Sequence, residues 1–278
     1  MTPFNSGLDL VIEQLTAQKR LLHRAPSAAP ELLQKLLQTK PQHATTAPTA
    51  PTAPTAPTAP TVPSAANSFL TSGSKQERIE ALRAIALPCT KCPQLVASRT
   101  QVVFGVGQLD ADLMFVGEAP GEDEDLQGEP FVGKAGQLLT KMIQAMGLQR
   151  DDVYIANVVK CRPNMPPNTP GNRKPTSIEM ATCLPYLLEQ IDIVRPRVIV
   201  ALGLTAVEGL IGETRPMNQL RGQWLHLLGT PLLPTYHPAY LLRNQATSEK
   251  RKVWEDLLMV MEKLAIPISE KQRNFFTR

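Results

Sequence analysis

The sequence predicts an α/β fold: a three-layer sandwich with a central, mainly parallel four-stranded sheet, preceded by a flexible tail. Three observations predict it. Downstream of about Lys75, short apolar, β-branched runs alternate with segments of helical periodicity, the pattern of buried parallel strands covered by helices on both faces. A tract of Thr-Ala-Pro repeats separates that region from what precedes it. A turn rich in glycine and acids, VGEAPGEDEDLQGEPFVGKAG at residues 116–136, follows directly on the first strand run, where such sheets bind ligands.

In chain order, Leu8, Val11, Ile12, Leu15 and Leu22 recur near helical spacing, and Leu32, Leu33, Leu36 and Leu37 suggest a second short helix after Pro30. Helices this short cannot bury enough surface to stand alone. Residues 1–45 are therefore expected to form a weakly structured arm, with docking onto a protein partner as the sharper alternative. Residues 46–60 are five copies of Thr-Ala-Pro, followed by Thr61-Val62-Pro63. With no large side chain to bury and φ fixed at every third residue, residues 46–74 are expected to be an extended, disordered linker. The folded domain is placed at 75–278. Its strand runs are 112–116 (DLMFV), 153–159 (VYIANVV), 197–202 (RVIVAL) and 232–236 (LLPTY), and its helices lie at 134–146, 178–194, 204–211 and 248–264. The carboxyl ends of these strands bring the glycine-rich turn, Asn157, Gly203 and His237-Pro238 to one rim.

Composition narrows the setting. A chain of 278 residues with 42% hydrophobic residues supports one domain of ordinary size plus a tail. There is no apolar run of about 18 residues and no export-type N-terminus, so a cytoplasmic protein without membrane contact, expected to be a monomer, is the reading. The net charge is +4, and residues 1–75 hold six Lys/Arg against three Asp/Glu. The folded part is nearly neutral, so contact with nucleic acid would need a local basic face.

Four cysteines in a reducing compartment argue against structural disulfides. Cys89 and Cys92 form a C-x2-C pair before the first strand, and Cys161 and Cys183 have 21 residues between them. Two thiolates on one turn plus two from remote loops suit a tetrahedral metal site or an iron–sulfur cluster. Spacing alone does not separate zinc from iron–sulfur, and a thioredoxin-type pair would leave the other two cysteines unexplained.

Residues 117–121 (GEAPG), Glu124-Asp125 and residues 128–136 (GEPFVGKAG) resemble the first motif of the family-4 uracil-DNA glycosylases. Residues 157–163 (NVVKCRP) and 236–244 (YHPAYLLRN) are similar to that family's other two signatures, and the likeness spans about residues 79–264. It implies a uracil-DNA glycosylase-like sheet and an enzyme of base excision repair that hydrolyses the N-glycosidic bond of uracil in single- or double-stranded DNA. It also implies a [4Fe–4S] cluster, in preference to zinc, on Cys89, Cys92, Cys161 and Cys183. One departure is an apparent insertion, residues 164–169 (NMPPNT), before Pro170-Gly171-Asn172-Arg173, a lengthening that costs little closure entropy.

The resemblance implies site roles, and the chemistry gives each a reason. Phe131 would stack on the base, beside Gly117 and Ala119. Asn157, with one acceptor and one donor group, meets uracil N3–H and O4, whereas cytosine reverses both polarities. His237 would donate to O2 of the departing uracil anion. Glu118 would orient or activate water, with Glu124 in support, while Asp125 caps the next element and Glu122, Asp123 and Glu129 are solvated. Tyr240, Leu241 and Leu242 are candidate wedges into the base stack, with Arg243, Asn172 and Arg173 available to DNA. Because no lysine falls on the rim, the enzyme is expected to lack a lyase step. The competing expectation is a non-catalytic or covalently trapping uracil-DNA binder. Relatives of the trapping kind carry Gln in the first motif and a His-containing insertion, whereas this chain has Ala119 and runs directly from Asp125 to Gly128.

Overall fold

The computed structural model describes residues 73–165, 169 and 171–277. The expected arm at 1–45 and nearly all of the linker at 46–74 lie outside the described residues. The chain enters through α1 (Lys75–Ala86) and α2 (Pro93–Val96), then β1 (Val106–Gly107) and β2 (Leu113–Gly117). Helices α3 (Glu122–Gln127) and α4 (Lys134–Ala145) lead to β3 (Tyr154–Asn157), and α5 (Ser177–Val194) leads to β4 (Val198–Leu202). Helices α6 (Leu204–Ile211) and α7 (Met217–Leu220) precede β5 (Leu225–Leu227) and β6 (Thr230–Thr235), and α8 (Pro238–Arg243), α9 (Thr247–Lys263) and α10 (Glu270–Arg273) follow.

The sheet has six strands in the order β1-β3-β2-β4-β6-β5. The four expected from sequence are its centre and run parallel, with Val116 opposite both Ala156 and Ala201. The expectation of four strands is corrected by the two edges, β1 and β5, which pair antiparallel. At two and three residues, they are too short to show a period of two.

Alternation along each central strand divides the core. Met114, Val116, Tyr154, Ala156, Ile199 and Ala201 face α1, α5, α6 and α7. Leu113, Phe115, Ile155, Val198, Val200 and Leu233 face α4 and α9. All five residues of β2 and of β4 are buried, as strands covered on both faces must be. The helices start on side-chain caps where the sequence offers them: Ser74 with Glu77 for α1, and Thr176 with Glu179 for α5, both reciprocal capping boxes.

This topology positions the site. The chain leaving β2 enters α3 and then α4, which packs on one face, whereas the chain leaving β4 enters α6 on the other. Adjacent parallel strands whose connections part in this way leave a crevice at their carboxyl ends.

Candidate active site

Gly117, the last residue of β2, stands opposite Asn157, the last residue of β3. A Cβ on Gly117 would lie 2.4 Å from Asn157 Oδ1 and 2.5 Å from Phe131 Cζ, so the absence of a side chain lets the Asn157 amide and an aromatic ring converge. The exit of β3 is fixed against that of β2, since the Val158 and Val159 amides donate to the Gly117 and Glu118 carbonyls at 3.0 Å each. Asn157 is only 2% exposed, and its Oδ1 has no hydrogen-bond partner within the chain. An unpaired acceptor at that depth carries a desolvation cost of about 1–3 kcal/mol unless a ligand supplies the donor.

Phe131 is buried and adopts a φ of 56°, an uncommon conformation for an aromatic residue. Its neighbours hold it there. Glu124 accepts from the Val132 and Gly133 amides at 2.9 Å each and from Gly121 at 3.0 Å. Arg150 donates to the Pro130 carbonyl at 2.5 Å, and the Phe131 carbonyl lies so close to Gly136 that a Cβ there would be 1.8 Å away. Glu124 thus has both oxygens on backbone donors of the loop.

The Phe131 ring stacks on His237, with centroids 5.5 Å apart and planes 30° apart. His237 caps α8 by accepting the Ala239 amide on Nδ1 at 3.1 Å. With Nδ1 an acceptor, the proton of the neutral ring belongs on Nε2. Burial, reinforced by the Arg243 charge, pushes the imidazole down to about 4, although the residue as a whole is half-buried. It is therefore a neutral donor at physiological pH.

Glu118 is half-buried, and burial raises its carboxyl above the usual range; the Thr205 hydroxyl and the Lys174 charge oppose that shift. Ala119 packs against the core beside it. Lys174 thereby reaches the margin of a rim read from sequence as free of lysine, and its ammonium pairs with Glu208. Asp125 is 3% exposed and accepts from the Thr100 and Gln101 amides, while Glu122, Asp123 and Glu129 are exposed.

On α8 the candidate wedges differ. Leu241 is buried in the core, whereas Leu242 is 39% exposed and Arg243 is exposed. Tyr240 stacks on Tyr236 at 4.5 Å and donates from its hydroxyl to Glu249 at 2.9 Å. Leu242, Asn172, Arg162 and Lys134, together with Glu122 and Asp123, line one open groove of about 290 Å³ beside the rim. Arg173 turns away from it, with its guanidinium on Glu179 at 2.7 and 2.8 Å and on Asn164. Residues 166–168 of the apparent insertion, and Pro170 after it, lie outside the described residues.

The four cysteines, none of them in a disulfide, line one narrow cavity of about 10 Å³. Two sulfurs already accept hydrogen bonds, Cys161 from the Arg99 guanidinium at 3.0 Å and Cys183 from the Lys160 amide at 3.2 Å. Burial pushes Cys183 up to about 12 and raises Cys161 and Cys92, so these thiols need a cationic partner to ionise together. As placed, no group of three or more His, Cys, Asp or Glu among the described residues is spaced to hold a metal ion. The shared cavity and the donors on sulfur nevertheless fit a thiolate-held group.

Comparison with known proteins decides what this rim belongs to. The family model of the Uracil DNA glycosylase superfamily matches residues 104–258. The chain belongs to that superfamily. Among curated uracil-DNA glycosylases, the type-4 protein of Thermotoga maritima is 47% identical over 66% of this chain and 93% of its own length. The type-4 protein of Sulfurisphaera tokodaii is 42% identical, covering 68% and 86%, and that of Archaeoglobus fulgidus 41%, covering 61% and 88%. These identities place the chain with the type-4 uracil-DNA glycosylases.

Sequence reasoning missed three residues of this glycosylase fold. Arg99, Lys160 and Thr205 reach a cysteine sulfur, the Asn157 carbonyl and Glu118. Only Lys160 carried a signal, a lysine among the buried valines and cysteine of NVVKC.

Proposed function

We infer that this chain is a uracil-DNA glycosylase of base excision repair, which hydrolyses the N-glycosidic bond of deoxyuridine and leaves an abasic site. The observation that carries the reading is the buried, unpartnered Oδ1 of Asn157 beside the Phe131 ring and the neutral His237. A uracil turned out of the stack lies against Phe131, gives its N3–H to Asn157 Oδ1 and accepts the Asn157 amide on O4. As the bond between sugar C1′ and uracil N1 breaks, its electron pair passes to the base. His237 Nε2–H then donates to O2, where the negative charge gathers. Water forms the new C1′–O bond, and its proton leaves by way of Glu118, whose burial raises its carboxyl and so makes the carboxylate a stronger proton acceptor. Glu124 acts on the loop that carries Phe131, and Leu242, Arg243 and Asn172 meet the DNA, with Tyr240 bracing α8. A cluster of the [4Fe–4S] type would be held by Cys89, Cys92, Cys161 and Cys183, where it supplies cross-links between remote segments and takes no part in bond cleavage. The setting proposed is the cytosol; among the described residues no helix is long and apolar enough to cross a membrane.

The test is single-turnover release of uracil from an oligonucleotide carrying one deoxyuridine, with thymine and cytosine controls. Strand breakage only after alkali supports hydrolysis without a lyase step, and a covalent protein–DNA band in place of free uracil would overturn the reading. Glu118→Gln is expected to slow release by about 10²-fold. It should also abolish the acid limb of the pH–rate profile, since the limb reports loss of the carboxylate as pH falls through its raised pKa. An unchanged limb would remove Glu118 from water handling.

A further inference from the structure

The cysteine cavity and the base pocket are separate, yet two hydrogen-bonded paths join them. On one, the Lys160 amide donates to Cys183 Sγ while its own Nζ donates to the Asn157 carbonyl at 3.0 Å. On the other, Arg99 holds Cys161 Sγ at 3.0 Å and the Cys89 carbonyl at 2.7 Å. The next two residues continue it, since the Thr100 and Gln101 amides donate to Asp125 at 2.8 and 3.4 Å. The Gln101 side chain adds a bond to the Leu126 carbonyl at 2.9 Å. Asp125 sits on α3 immediately after Glu124, which holds the amides of Val132 and Gly133 behind Phe131. Each wall of the pocket, Asn157 and Phe131, is thus a few bonds from a cysteine.

We propose that Asp125 is a positioning residue, tying the four-cysteine site to the Phe131 wall so that loading the cysteines and forming the base pocket are coupled. The role in catalysis rests on the uracil-excision reading; the tether itself does not. A buried carboxylate that accepts only backbone amides across two segments is costly to hold, and its removal leaves those amides unpaired. α3 is short, so release at Asp125 frees Glu124 and with it the loop that keeps Phe131 in its uncommon conformation. Coupling is reciprocal: losing the cysteine-bound group loosens the loop, and loosening the loop speeds loss of the group.

The experiment uses the full-length, iron-loaded protein, comparing wild type, Asp125→Ala, Asp125→Asn and wild type stripped by an iron chelator. Three readouts are hydrogen exchange by mass spectrometry, the rate of iron loss to the chelator, and single-turnover kinetics. Exchange across residues 122–134 is expected to rise about tenfold in Asp125→Ala and in stripped protein, and less in Asp125→Asn, which keeps one acceptor. Exchange in α9 should stay unchanged. Iron loss should quicken by a similar factor in Asp125→Ala. The rate at saturating DNA should fall about tenfold with the half-saturating concentration within twofold, because phosphate contacts dominate affinity and lie outside the tether. Unchanged exchange across 122–134 in both Asp125→Ala and stripped protein, or a rise that spreads equally through α9, would overturn the proposal. If Asp125→Ala does not fold, Asp125→Asn and the stripped wild type decide it by the same exchange criterion. A wild type that releases no uracil would defeat the functional reading while exchange and iron loss still decided the tether.

Discussion

Replacing His237 with alanine is expected to lower the single-turnover rate of uracil release by about 10²–10³-fold, the usual consequence of losing one preorganised donor to a developing anion. The imidazole has no other assignable task on the rim: its Nδ1 is occupied by the Ala239 amide and its face by Phe131, which leaves Nε2–H for the base. Cluster absorbance should be unaffected, because His237 follows β6 and the cysteines come from elsewhere in the chain. The pH dependence makes the same point. With the folded imidazole pushed down to about 4, the wild-type rate should show no break near the ordinary histidine value of about 6.5. The unfolded chain binds that proton first, so the fold loses stability as pH falls from about 6.5 to about 4. The alanine variant should lack that part of the slope in melting temperature. A rate within about threefold of wild type would end the anion-stabilising role.

Asn157→Asp is expected to reduce release from deoxyuridine by at least about 10²-fold, with gel-resolved cleavage of uracil and cytosine substrates as the measurement. The amide is 2% exposed, so the incoming base is its available partner and bulk water cannot repair a mismatch. Replacing the amide N–H2 by oxygen sets acceptor against the O4 acceptor of uracil, and a site built around a hydrogen bond rejects the wrong polarity strongly. The side chain lies directly over Gly117, where a Cβ would come within 2.4 Å of Oδ1. Undiminished release from deoxyuridine would show that Asn157 does not read the base.

Much of the architecture was legible in the sequence because buried parallel strands are written as uninterrupted apolar runs. Leu113, Phe115, Val198 and Val200 carry that signal, and α6 falls where its periodicity places it. The edges β1 and β5 were not legible, being too short to have a pattern. In the site, Gly117, Asn157, Phe131 and His237 converge on the rim that strand order dictates. What the sequence could not show is allegiance. The resemblance offers Glu124 and Arg173 to the substrate, yet their charged ends face the chain's own backbone and Glu179. Arg99 lies outside every motif and carries no periodicity, so its bond to Cys161 is visible only in three dimensions.

Leu241 and Leu242 are neighbours of identical chemistry, one sunk in the core and the other on the groove that borders the rim. Mutational drift meets them under different rules. A change at 241 is screened first by folding, whereas a change at 242 passes that screen and, under the proposed DNA contact, is tested against nucleic acid. If Leu242 meets DNA as proposed, position 242 is where a lineage can retune the grip of this protein on its substrate at little thermodynamic risk, and where a selection experiment would find its variants first.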